Sequence, residues 1–225
     1  IPVCTIHQVN PDETTSPRGF IELLGAYQQG HLELDKNAKD IFESCFLCTN
    51  CVDVCPNSLA TDMVIEEVRA DIADKFGIAW FKRIAFYLLE HRKVMDVVMK
   101  FGFMFKTCAF SVDEKKGGLL ARFRMPMVKK GRLIPSLSKV SFLNSYPEEI
   151  LAPKQAINNQ RVALFIGCLA NYNYVGIGDS LVSILKELNI DIFIPKDQLC
   201  CGAPAYFTGA VDSVERMTKA NIEYF

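Results

Sequence analysis

A chain of 225 residues, half of them hydrophobic, can bury one large core or two smaller ones, and two are expected here. With 25 basic against 26 acidic residues the formal net charge is -1, so no global field points to nucleic acid and any partner is recognised locally. Nine cysteines, four of them crowded into residues 45–55, suit metal ligation better than a disulfide framework, which implies a reducing, cytoplasmic setting.

The sequence opens on Ile1 with no basic-then-apolar leader and closes on what reads as mid-helix, so a fragment cut at both ends is expected. Ser16-Pro17, a capping serine before a proline at the first helical position, starts a helix over Arg18 to Gln29 that Gly30 ends. Asp35 to Ser44 is a second helix delivering the chain into Cys45-Phe-Leu-Cys48-Thr-Asn-Cys51-Val-Asp-Val-Cys55-Pro56, an irregular loop. From a cap at Ser58, Met63, Val64, Val68 and Ile72 recur at helical spacing until Gly77, and another apolar, partly basic helix covers about Ala79 to Lys100.

The longest apolar stretch, Val94 to Phe110, is interrupted by Asp96, Lys100 and Lys106, too short and too charged for a transmembrane segment but compatible with a surface-lying helix. Residues 111–160, with Gly117-Gly118, several prolines and little periodicity, read as a connector, and the boundary to the next domain falls near Asn159. Beyond it, Arg161 to Gly167 is a buried-type strand, Asp179 to Leu188 an amphipathic helix and Asp191 to Pro195 a second strand, which together make a parallel βαβ unit. Val211 to Phe225 is a further helix.

Cysteines at i, i+3 and i+6 in a loop can wrap three corners of a 4Fe-4S cube, and the fourth thiolate must come from elsewhere. In the pattern C-x2-C-x2-C-x3-C-P the last cysteine ligates the other cluster, so Cys45, Cys48 and Cys51 take Cys4, the one earlier cysteine, and Cys55 serves a second 4Fe-4S cluster. Thr5 follows Cys4 where proline is usual. A C-x2-C-x2-C run ending just before Ile1 is expected to complete that second set. Structural zinc normally uses two C-x2-C knuckles a dozen or more residues apart, so a zinc-held, non-redox scaffold is the weaker reading.

Cys168 ends the first strand and Cys200-Cys201-Gly202 follows the second, so the three thiols are expected to converge at the carboxyl edge of the sheet, through a sharp turn that Gly202 and Pro204 can supply. Cys108 reads as core packing, and Gly176-x-Gly178 is only part of a nucleotide-binding fingerprint. His7, His31 and His91 have no ligand spacing, and Lys129, Lys130 and Arg132 read as a solvated face.

A cysteine, about thirty residues, then Cys-Cys-Gly resembles the opening of the CCG domain found in heterodisulfide reductase, the glycolate oxidase iron-sulfur subunit, anaerobic glycerol-3-phosphate dehydrogenase and lactate utilisation protein A. Ser16-Pro17-Arg18-Gly19 and Gln198 resemble the glycolate oxidase branch most. The resemblance implies an α + α/β chain: an α-helical ferredoxin-type domain over 1–110, a connector over 111–160, and the first half of a Rossmann-like parallel CCG domain over 161–225. It also implies a C-x2-C about 35 residues past Gly202 and a further cluster or metal at Cys168, Cys200 and Cys201.

The implied activity is electron transfer within a flavin-linked 2-hydroxy-acid dehydrogenase, of glycolate or D-lactate type. The flavoprotein subunit would be donor and a membrane quinone or its reductase acceptor, with the chain peripheral on the inner face of the membrane. The competing enzyme reading is disulfide chemistry at the CCG site, as in heterodisulfide reductase.

Overall fold

The computed structural model describes residues 3–113, 117–124, 128–152 and 160–225, and the chain forms two compact units: Ile1–Arg83 with Gly202–Glu215, and Ile84–Cys201 with Arg216–Phe225. These units do not follow the expected division at 110 and 160, and the expected boundary at Asn159 lies outside the described residues.

The first unit is helical. Helix α1 (Thr5–Val9) leads through a 3-10 turn at Glu13–Thr15 into α2 (Pro17–Gln28), where Ser16 accepts the N–H of Gly19 at 3.0 Å. Gly19 is required by contact: a Cβ there would lie 1.9 Å from the Glu13 carbonyl oxygen, so only glycine lets α2 press against the turn. Helix α3 (Lys36–Ser44) is capped by Asp35, whose carboxylate accepts from Ala38 N at 2.7 Å. After the cysteine loop with its single turn α4 (Asn50–Asp53), α5 spans Thr61–Phe76. Its cap is Ala60 rather than Ser58, which takes a left-handed conformation at φ 49. Phe20, Phe42, Ile65, Val68 and Ile72 from α2, α3 and α5 form the core, with the two phenylalanine rings stacked at 6.4 Å.

The expected helix from Ala79 to Lys100 is two: α6 (Trp80–Glu90) and α7 (Arg92–Met104). His91 leaves helical geometry at φ -119, ψ 76, with its ring stacked on Tyr87 and Nδ1 against the Tyr87 carbonyl at 2.9 Å. No proline or glycine marks that break, so periodicity runs through it unchanged.

In the second unit, α8 (Lys106–Ala109) feeds an antiparallel meander, β1 (Phe110–Asp113), β2 (Gly118–Ala121) and β3 (Leu133–Pro135), within what composition suggested was a plain connector. Strands of three or four residues are too short to display alternation, so the sequence signal is absent. Cys108, expected in a core, is exposed on α8.

Next come α9 (Phe142–Ser145), β4 (Glu149–Ile150), β5 (Arg161–Ala163), α10 (Cys168–Tyr172), α11 (Val175–Glu187) and β6 (Asp191–Phe193). Strands β5 and β6 are parallel neighbours joined through α11, the expected βαβ unit, whereas β4 adds antiparallel to the other edge of β6, making the sheet mixed. Phe142, Leu164, Ile166, Val182, Ile192 and Ile194 form this unit's core. Gly178 belongs to that packing: a Cβ would lie 2.5 Å from the Phe142 ring, so the partial glycine motif has a structural cause. The chain ends in α12 (Ala203–Tyr206) and α13 (Val211–Tyr224).

Candidate metal centre

Cys4, Cys45, Cys48 and Cys51 line one pocket, partly open to solvent, whose other walls include Phe20, Phe46, Leu47 and Ile65. Cys4 is brought there by the segment before α2: its Sγ donates to the Thr15 carbonyl at 3.9 Å, on the turn that Gly19 presses against. Leu47 and Thr49 take left-handed conformations, φ 52 and φ 60, which turn the loop between successive cysteines. Cys55 is not among the lining residues.

Burial pushes the Cys45 thiol pKa up, opposed by the Leu47 N–H, which donates to its sulfur at 3.4 Å, and by the nearby Arg69 charge. Burial raises Cys51 as well. Thiols held this way give up their protons when a cation takes their place, as iron ligation requires. Among the described residues, no three His, Cys, Asp or Glu side chains lie close enough to share a single metal ion. Four thiols around a space rather than a point fit a multi-iron cluster better than one zinc ion. Cys55 has a different setting: the N–H groups of Leu59, at 3.5 Å, Asn57 and Ser58 converge on its sulfur and lower its pKa, which favours a thiolate.

Arg69 on α5 was not singled out by sequence reasoning. Only 5% exposed, it donates from Nε and Nη2 to the Phe42 carbonyl at 3.2 and 2.9 Å, from Nη2 to the Cys45 carbonyl at 2.6 Å and from Nη1 to the Phe207 carbonyl at 2.8 Å. A buried guanidinium is costly without compensation, and here its hydrogen-bond acceptors are carbonyls, one of them on the cysteine loop itself.

At the second set, Cys168 does not end a strand but opens α10, beyond β5, and Cys200 lies in the loop after β6; Cys200 Sγ donates to Cys168 Sγ at 3.9 Å, and both line a cavity with Arg92, Met95, Leu143 and Ile166. That hydrogen bond, helped by the backbone N–H groups of Leu169 and Cys168, brings the Cys168 pKa down to about 6 against the opposing effect of burial. Cys200 is buried while Cys201 is exposed and does not line the cavity, as adjacent residues pointing to opposite sides of the chain require. Gly202 follows at φ 84, turning the chain into α12 with Pro204 in its first turn.

Two amides hold this loop. Gln198, 1% exposed, accepts the Ile166 N–H at 2.7 Å and donates to the Leu164 and Pro195 carbonyls at 3.1 and 2.9 Å, tying the strand ends together. Asn221 accepts from Leu199 N at 2.8 Å and donates to the Cys200 carbonyl at 3.0 Å. Gln198 is visible in the sequence only as a family signature; Asn221 has no local signal.

The family model of the cysteine-rich CCG domain matches residues 162–225. The chain is 26% identical over 218 residues to the probable glycolate oxidase iron-sulfur subunit of Bacillus subtilis, covering 95% of this chain and 49% of that protein. It is 25% identical over 192 residues to a subunit of the fumarate reductase (CoM/CoB) of Methanothermobacter marburgensis, covering 84% and 30%. Over 65 residues it is 40% identical to lactate utilization protein A 1 of Bacillus mycoides, covering 29% and 26%. The chain thus spans about half the length, or less, of these curated relatives. No solved structure matches. Residues 162–225 thus match the cysteine-rich CCG domain, and over most of its length the chain is similar to iron-sulfur proteins such as the probable glycolate oxidase iron-sulfur subunit.

Proposed function

We propose that the chain is the electron-transfer part of an oxidoreductase, holding one 4Fe-4S cluster on Cys4, Cys45, Cys48 and Cys51. The observation that carries this reading is the convergence of four cysteines, one of them 41 residues before the others, on one largely apolar pocket. Bound there, the cluster would supply one-electron redox chemistry; the protein's part is to keep water away and to set the potential. Phe20, Leu47 and Ile65 provide the dry wall, the Leu47 N–H points at sulfur, and Arg69 places positive charge beside Cys45.

Cys55, with N–H donors already directed at its sulfur, is read as a ligand of a second 4Fe-4S cluster whose other thiolates lie outside these 225 residues. The CCG site is read as a further metal or cluster position on Cys168 and Cys200, with Cys201 joining by rotation of its exposed side chain. The relatives named for glycolate oxidase and lactate utilization support a flavin-linked 2-hydroxy-acid dehydrogenase, of glycolate or D-lactate type, with a flavoprotein subunit as donor and a quinone as acceptor.

A second reading, disulfide reduction at the CCG site, draws on the Cys168–Cys200 pair, where one thiol is acidified by its neighbour. Anaerobic purification of the full-length protein tests both. Iron and acid-labile sulfide in equal amounts, reducible by substrate only when the flavoprotein is present, supports the conductor. Zinc without sulfide refutes it, and a paramagnetic signal that appears only with a thiol or disulfide ligand favours the second reading.

A further inference from the structure

Helix α7 is a 13-residue helix in which no residue is buried, although eight of its side chains are Val, Met or Phe. Val94, Val97, Val98 and Phe101 project on one side at 39%, 54%, 42% and 55% exposure, and Phe105 just beyond the helix continues their line at 56%. At about 100° per residue these five fall within a stripe roughly 100° wide, and Lys93 and Lys100 lie together along one border of it. Such a stripe facing water loses the burial that normally supports a short helix. Among the described residues, no membrane-spanning helix is present, so the face is not part of a transmembrane segment.

Beyond Asp113 and Glu114, where the meander begins, the charge is of one sign. From Gly117 to Pro147 the sequence contains Arg122, Arg124, Lys129, Lys130, Arg132 and Lys139 and no acidic residue, in a chain whose net charge is -1. All six are exposed. The meander is physically continuous with the helix: Arg122 N donates to the Ala109 carbonyl of α8 at 3.0 Å, and Gly102 of α7 lies against Leu137. Phe123, between two of the arginines, is 51% exposed.

We propose that this face of the second unit seats on an anionic phospholipid surface, α7 lying in the interface with its apolar stripe among the acyl chains and the meander's cations on the headgroups. The chemistry selects lipid over protein in two ways. Lys93 and Lys100 edge this stripe, where long aliphatic stems can lie along apolar surface while the ammonium reaches phosphate. A helix with an apolar stripe, flanking cations and a separate basic cluster combines the two attractions that interfacial binding needs, neither sufficient alone. The proposal goes beyond the electron-transfer reading and needs no cluster to be correct, although delivery to a bilayer-dissolved quinone would profit from it.

The test is sedimentation of the full-length, cluster-loaded protein with vesicles of phosphatidylcholine alone or with about one-third phosphatidylglycerol, at low and high salt. Binding should appear only with the anionic vesicles and weaken as salt rises. Lys129→Gln/Lys130→Gln/Arg132→Gln together should lower the partition coefficient by about 100-fold, each cation near such a surface being worth about fivefold. Phe101→Ser/Phe105→Ser should lower it at least tenfold, with circular dichroism and cluster absorbance unchanged as the check on folding. No enrichment on anionic vesicles overturns the proposal, as does binding that neither variant alters. Loss of association with the flavoprotein in the triple variant, with vesicle binding intact, would reassign the face to a protein partner.

Discussion

Replacing Arg69 by Met keeps the length of the aliphatic stem while removing the guanidinium, and the structure sets the cost. The four hydrogen bonds to Phe42, Cys45 and Phe207 disappear together, leaving three carbonyls in a region where the side chain itself is 5% exposed. At about 1–3 kcal/mol for each buried acceptor left unpaired, the three together cost roughly 3–9 kcal/mol, toward the lower end where water reaches the Phe207 carbonyl. That is a large share of the stability of a typical domain. The same change removes the charge that opposes burial at Cys45, so the thiolate is less favoured and the site should lose iron faster.

Arg69→Lys retains charge without the planar fork and should fall between the two. Urea denaturation followed by circular dichroism, alongside visible absorbance after addition of a chelator, reads both effects. A methionine variant within about 1 kcal/mol of wild type, with unchanged iron loss, would refute the role given to the guanidinium.

Two further outcomes follow from the CCG half. Gln198→Leu leaves the Ile166 N–H and the Leu164 and Pro195 carbonyls without their partner and should destabilise the protein by roughly 2–5 kcal/mol, while Gln198→Glu recovers only the acceptor side; a denaturation midpoint unchanged in the leucine variant would count against it. In metal-stripped protein, Cys168 should react with iodoacetamide with a half-maximal rate well below the pH of an ordinary thiol near 8.5, because a depressed pKa keeps the thiolate populated until pH falls through it. Cys200→Ala removes the hydrogen bond chiefly responsible for that depression and should move the profile upward; an identical profile in the variant would mean the thiol pair is not its origin.

Local chemistry made much of the chain legible. Ser16 with Pro17, and Asp35, announced helix starts that the structure places within a residue, because capping bonds are made between near neighbours. The two strands flanking α11 were readable from their apolar runs. What stayed hidden was long-range. Arg69 reaches Phe207 across 138 positions and Gln198 reaches Leu164 across 34, and no periodicity encodes such pairs. His91 broke a helix without a breaking residue, and the meander was too short to show a pattern. At the site, cysteine spacing pointed to the thiols, but the division between Cys200, buried, and Cys201, exposed, depends on the turn the chain takes at Gly202.

If Cys4 joins Cys45, Cys48 and Cys51 on one cluster while Cys55 serves another, their removal has distinct signatures. Electron paramagnetic resonance of the dithionite-reduced full-length protein, with iron and sulfide analysis, compares Cys4→Ala, Cys45→Ala and Cys55→Ala directly. The first two variants should lose the same signal and the same share of iron, about four atoms, and the third a different signal. A Cys4→Ala variant that keeps the signal lost in Cys45→Ala, or matches Cys55→Ala instead, would contradict that assignment.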